Sequence, residues 1–169
     1  SCGPLDQRSI EDRPDVLLFT SAPLKEPLAI TGPLTAVLYV SSANVNDTDF
    51  TAKLTDVYPD GQSRLIQDGI IRMRWRAGVE GGFDPVPIVP GDVYRVEVSL
   101  WNTSYVFRPG HSIRLAVSSS SHPRFTPNPN NGLSLIEGEN GPFITAVNTV
   151  QIWSNYQPAT PIQHGLYRS

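Results

Sequence analysis

Residues 49–76 read DFTAKLTDVYPDGQSRLIQDGIIRMRWR. Phe50, Ala52 and Leu54 alternate with Thr51, Lys53 and Thr55, and a side-chain period of two marks a strand with one face turned to a core. YPDGQ follows. Pro59 presets φ and Gly61, after Asp60, tolerates positive φ, so the chain reverses there. On the return, Ile71, Met73 and Trp75 alternate with Arg72, Arg74 and Arg76. The stretch predicts a β-hairpin running to Arg76, with Ile71, Met73 and Trp75 inward and the arginines outward. The opposite register would bury three arginines at several kcal/mol each unless they were paired.

The same period extends to both sides of the hairpin. DVLLFTSAPL, residues 15–24, is an apolar run of strand length closed by Pro23. Beyond a break expected at Gly32-Pro33, Leu34, Ala36, Leu38 and Val40 alternate with Thr35, Val37, Tyr39 and Ser41. Both sets are mostly apolar, which predicts a strand covered on both faces. In residues 93–107 Tyr94, Val96, Val98 and Leu100 oppose Arg95, Glu97 and Ser99. In residues 111–121 Ile113, Leu115 and Val117 oppose Ser112, Arg114, Ala116 and Ser118, with Ser112 on the less buried face. PFITAVNTVQIWSN, residues 142–155, supplies a last strand. No stretch has a helical period, and the VEGG and LSLIEG regions leave room only for a short helix. Sixteen prolines and thirteen glycines cut the chain into short segments. Seven to nine strands with one or two long crossovers predict an all-β fold, two antiparallel sheets packed face to face in a single domain, 1–169.

Composition narrows the function. A chain of 169 residues with 39% hydrophobic and 17% charged residues is globular and long enough for a sizeable core. The net charge of −3 gives no pull toward nucleic acid. A lone cysteine, Cys2, builds neither a disulfide framework nor a thiolate zinc site. No apolar run approaches the ~18 residues of a membrane helix, so no membrane partner is expected, and no signal peptide opens the chain.

RPGHSIRLAVSSSSHPRF, residues 108–125, brings serines and histidines together. GHSIR begins like a nucleophile elbow, G-x-S-x-G, but has Arg114 in place of the last glycine. A turn precedes Ser112 and a strand follows it, whereas the elbow needs a strand before and a helix after. Ser112 reads as a turn-to-strand serine, and His111 as a structural imidazole satisfying loop groups. Three scattered histidines do not make a metal site. Asn44, Asn46, Asp47 and Asp49 offer oxygens for calcium, but without the spacing of a calcium loop they read as a polar turn. The stripe Arg72, Arg74, Arg76 either meets an anion or forms ion pairs with Asp56, Asp68 or Glu97 on neighbouring strands. Trp101, Tyr105, Trp153 and Tyr156, near strand ends, would stack on a sugar, cap the core or face a second domain. No catalytic, metal or cofactor residue is assigned.

DVLLFTSAPL, ITGP, DTDFTAKLTDVYPDG, DGIIRMRWR and VFRPGHSIRLAVSSSSHPRFTPNPNNG occur here in that order. Together with GPLDQRSIEDRPDVL at the start and AVNTVQIWSNYQPATPI near the end, they resemble the C-terminal, non-catalytic domain of the X-Pro dipeptidyl-peptidase and cocaine-esterase family of serine hydrolases. The α-amino acid ester hydrolases belong to the same group. The resemblance covers nearly the whole chain. It implies a jelly-roll β-sandwich of the galactose-binding-like kind, packed on an upstream α/β-hydrolase domain that carries a Ser-Asp-His triad. The chain alone is then expected to be inactive. The partners implied are that hydrolase domain and, as a further option, a second copy in a homo-oligomer. By the same analogy the HPRFTPNPNN and VEGGFDPVP loops become contact surfaces, with Phe83, His122, Arg124, Phe125 and Asn128 as interdomain or ligand contacts and Trp101 and Trp153 beside them. Two other readings stand next to this one, a carbohydrate-binding module and a free-standing interaction domain. The ending departs from the family pattern at Gln157-Pro158, so a short last strand is expected.

Overall fold

The computed structural model describes residues 5–78, 84–138, 140–151, 153–154, 157–158 and 162–163. Two four-stranded antiparallel sheets form a β-sandwich. The first sheet has the order β1 (Leu17–Thr20), β6 (Ser112–Ser118), β3 (Asp49–Val57), β4 (Ser63–Arg72). The second has the order β10 (Ile162–Gln163), β7 (Asn148–Gln151), β2 (Leu28–Ser42), β5 (Tyr94–Phe107). A two-stranded ribbon, β8 (Trp153–Ser154) with β9 (Gln157–Pro158), brings the described strands to ten, one more than the alternation predicts. Among the described residues α-helix is confined to α1 (Arg8–Glu11) and α2 (Leu135–Gly138), the latter inside the LSLIEG region.

The interior is built from the predicted alternating sets. Phe50, Ala52, Met73 and Val117 from the first sheet meet Ala36, Leu38, Val40, Val96, Val98, Leu100 and Val150 from the second. Leu17, Phe19, Leu34, Leu54, Ile71 and Leu115 pack against them, half-buried. Leu54 stands opposite Leu115, and Ala52 opposite Val117, so one cross-strand face of β3 and β6 supplies a single layer. The sheets close on each other at one edge, where β4 meets β5. A Cβ on Gly69 would lie 2.0 Å from the Ser99 carbonyl oxygen, so only glycine lets the two backbones approach this closely.

Several expectations are corrected. Gly32-Pro33 does not break the strand. β2 runs straight through, and the irregularity appears as a register shift between Pro33 and Thr35 that sets an extra residue into β5. β2 is covered on one face only, for Val37 is 47% exposed on the other. The hairpin return ends at Arg72. Met73–Trp75 is a 3₁₀ turn, which keeps Met73 buried and swings Trp75 out of the core layer. The period of two persists in the sequence there, but three residues per turn replace the strand. Ser112 is buried rather than on the open face, and Ile113 is half-buried outside the main core cluster. The outer face of the first sheet is covered by residues 5–16. Glu11, buried, accepts from Arg114 at 2.6 Å and from Ser63 at 2.7 Å, and Gln7 pairs its backbone N–H with the Ser63 carbonyl.

Candidate functional site

The end of the sandwich where β3 begins carries the long loops. Backbone N–H groups tie them together: Ala43 to Val147, Gly91 to Ser42, Ile88 to Asn46 and Ile144 to Pro129. Asn44 adds two bonds, donating to the Thr145 carbonyl and accepting from the Val147 N–H.

Asp47 and Asp49, both buried, stand at the centre. Arg72 donates from Nε and Nη2 to Asp49 at 2.8 and 2.9 Å. Arg74 donates from Nε to Asp47 at 2.6 Å, and its backbone N–H takes the other oxygen at 2.9 Å. Asn128 bridges the two carboxylates, donating at 2.8 Å to Asp47 and 2.9 Å to Asp49. Burial pushes the Asp49 carboxyl up, and the bonds from Arg72 pull against it. Its bond to Asp49 in turn holds the Arg72 guanidinium above its usual range.

Further donations from the arginine stripe reach outward, from Arg72 and Arg74 to the β6–α2 connection and from Arg76 to the β4–β5 connection. Arg72 donates to the Thr126 carbonyl at 3.3 Å, and Arg74 to Leu133 at 2.7 Å. Arg76 donates to Met73 at 2.9 Å and to Val86 at 2.5 Å, and lies 4.5 Å from the centre of the Tyr94 ring. The stripe therefore forms ion pairs, but with Asp49 and Asp47 rather than Asp56, Asp68 or Glu97. Its chemistry is positional. With both carboxylates taken by guanidinium and amide donors, the cluster fixes loops in place, and the asparagine–aspartate stretch is a polar turn. Over this frame Trp75, Val86, Val89, Leu133 and Ile144 are exposed, and Ile136, on α2, is 84% exposed.

The other end of β3 holds a second buried carboxylate. Asp56 accepts from the Tyr105 hydroxyl at 2.7 Å and meets His111 Nδ1 at 2.9 Å. The His111 ring lies 4.3 Å from that of Tyr58. Burial, helped by Asp56, pushes the Tyr105 phenol above its usual range. The expectation of a structural His111 is met by a carboxylate rather than by loop carbonyls.

The residues singled out as contacts separate into groups. His122, Arg124, Phe125 and Asn128 share one loop. His122, exposed, precedes Pro123 through a cis peptide bond. Arg124 pairs with Asp68 at 2.8 Å and lies 5.4 Å from the centre of the Phe125 ring. Asn128 is a structural bridge rather than an outward contact. Trp101 lies apart, on β5, 67% exposed and with φ of 62° at the extra residue of the bulge. A bulky residue in that region is unusual. Trp153 starts β8. Phe83 lies outside the described residues. Sequence reasoning missed the loop-fastening role of the arginines and the part of Asp68. The signal was there: counted outward from Asp60-Gly61, Asp49 falls opposite Arg72 and Asp47 opposite Arg74.

Residues 3–158 match the family model of the X-Pro dipeptidyl-peptidase C-terminal non-catalytic domain. The chain belongs to this family. It is 45% identical over 148 residues to a cocaine esterase of Rhodococcus sp. (strain MB1 Bresler), an alignment that covers 88% of this chain and 25% of the esterase. A putative serine esterase of Mycobacterium bovis is 34% identical over 124 residues, 65% of this chain and 20% of that protein. Among solved structures, an aminopeptidase from a marine sediment archaeon, Thaumarchaeota archaeon, superposes with a TM-score of 0.70 at 34% identity, over 76% of this chain and 22% of that one. An α-amino acid ester hydrolase gives 0.69 at 32% identity, over 76% and 22% of the two chains. The chain thus spans a fifth to a quarter of the relatives' length.

Proposed function

We propose that this β-sandwich is the accessory domain of a serine acyl hydrolase and that the loop-bearing end docks on an α/β-hydrolase domain of the same protein, helping to shape its substrate pocket. The observation that carries the reading is the arginine clamp. Arg72 and Arg74 hold the β6–α2 connection at two points and Arg76 holds the β4–β5 connection, each by a carbonyl, and the loops so held display Val86, Leu133 and Ile144 beside Trp75 and Ile136. Apolar side chains exposed together suit an interaction site, and holding the loops beforehand lowers the ordering cost of binding. The relatives named as esterases, aminopeptidase and ester hydrolase support hydrolysis of an ester or amide by the whole protein. The nucleophile would then come from the other domain, through an acyl-enzyme.

The test is Ile136→Glu in the whole protein. A charge at a buried contact should lower both thermal stability and kcat/KM for a nitrophenyl ester, while Ser112→Ala leaves the catalytic step intact. Unchanged kinetics and melting in Ile136→Glu would remove the docking role from this end. Turnover by the chain alone, abolished in Ser112→Ala, would overturn the accessory role itself.

A further inference from the structure

Away from the pinch at Gly69, β4 and β5 part, and a groove of about 490 Å³ opens between them. That volume is in the range of small-molecule sites, roughly 300–1,000 Å³. Its walls are Leu65 and Ile66 on one side and Thr103 and Tyr105 on the other, with Asp68 and Arg124 where polar groups converge.

Asp68 and Arg124 differ from the other ion pairs of the first sheet. The Asp68 side chain is 8% exposed, whereas that of Arg124 is 59% exposed. Arg124 Nε donates to one carboxylate oxygen at 3.0 Å and lies 2.8 Å from the other. Arg72, by contrast, spends Nε and Nη2 on Asp49. The Nη1 and Nη2 groups of Arg124 therefore have no partner among the described residues, while Phe125 supports the guanidinium from its face. Asp68 also stands opposite Lys53 on β3.

We propose that this groove binds a small monocarboxylate with an apolar body. The carboxylate takes the Nη1–Nη2 edge of Arg124, where two parallel N–H groups match its planar pair of oxygens. The body lies along Leu65, Ile66, Thr103 and Tyr105. Asp68 orients the guanidinium from its Nε side and does not touch the ligand. One guanidinium edge suits a monoanion. A phosphate dianion would call for more cations or a nest of backbone N–H groups than the groove supplies. The inference does not depend on docking at the loop end.

The experiment is a titration of the protein with phenylacetate, followed by ¹H–¹⁵N shifts. Saturable shifts are expected at Gln67, Asp68, Thr103, Tyr105 and Arg124 Nε in the millimolar range. Acetate, which lacks the body, should bind about tenfold more weakly. Arg124→Ala should weaken phenylacetate by roughly tenfold or more, and Arg124→Lys, which keeps charge without the fork, by less. Thr103→Trp should block the groove while leaving Arg124 in place. The absence of shifts at these residues overturns the proposal, as does equal binding by Arg124→Ala. Acetate as good as phenylacetate reduces the site to general anion binding and overturns it too. Inorganic phosphate binding more tightly than phenylacetate overturns the ligand class.

Discussion

The two ends of β3 solve the same problem differently. At Asp49 the strand starts beneath long loops, and two arginines and an asparagine satisfy its carboxylate and that of Asp47. At Asp56 it ends beneath two short turns, and a tyrosine hydroxyl and an imidazole suffice. The short-turn end consumes its polar groups internally. The loop end uses fully charged donors long enough to hold a carboxylate and a loop carbonyl at once. Charge there does the work that hydrogen-bonded strands do elsewhere, and it leaves apolar side chains free to face outward.

That contrast can be broken by experiment. Asp49→Ala should cost about 3–5 kcal/mol in chemical denaturation, because it strands a guanidinium in a largely buried place. Asp56→Ala should cost less, about 1–3 kcal/mol, since it takes the acceptor from a hydroxyl and an imidazole rather than from a guanidinium. Equal costs would mean that the ends do not differ in kind. At the edge between the sheets, Gly69→Ala should cost about 1–3 kcal/mol by forcing β4 away from the Ser99 carbonyl. A neutral result would show that the strands part freely, and the groove beside them would then lack a fixed wall.

The smallest effect belongs to the strap over the first sheet. The Arg8 side chain hydrogen-bonds to Asp6 and lowers its carboxyl to about 2, with smaller help from the Arg8 and Ser63 N–H groups. A depressed carboxyl stabilises the fold above its unfolded value of 3.8, and that contribution is lost as pH falls through about 2. An NMR titration of Asp6 should therefore show its midpoint near 2, moving up toward 3.8 in Arg8→Ala. A midpoint already at 3.8 in the unaltered protein would detach the strap from this pair.

How much was legible follows from which rule governs each region. The core sets of β2, β3, β5 and β6 obey a period of two, and their inward residues are readable one by one. The short turns at Asp60-Gly61 and Pro109-Gly110 are equally plain, because glycine is needed at positive φ in both. Trp75 was misread because alternation in sequence continued where the backbone changed to a 3₁₀ turn. The face of β2 around Val37 was misread because an apolar residue on a strand does not say whether anything covers it. The arginine stripe was seen as a pattern, but its loop partners are backbone carbonyls, which leave no mark in a sequence. Asp68 and Arg124 are 56 positions apart, in a strand and a proline-rich loop, and only the fold brings them together.

The central claim is that the loop end faces a hydrolase domain of the same protein, and accessibility in the whole protein tests it most directly. In a background freed of native cysteines, Cys2 among them, single cysteines are placed at Ile136, on the loop end, and at Val106, on the exposed face of β5. Each is exposed to a brief pulse of a water-soluble thiol reagent. The account predicts that Ile136→Cys is protected and Val106→Cys is labelled. Ile136→Cys labelled as fast as Val106→Cys would contradict it.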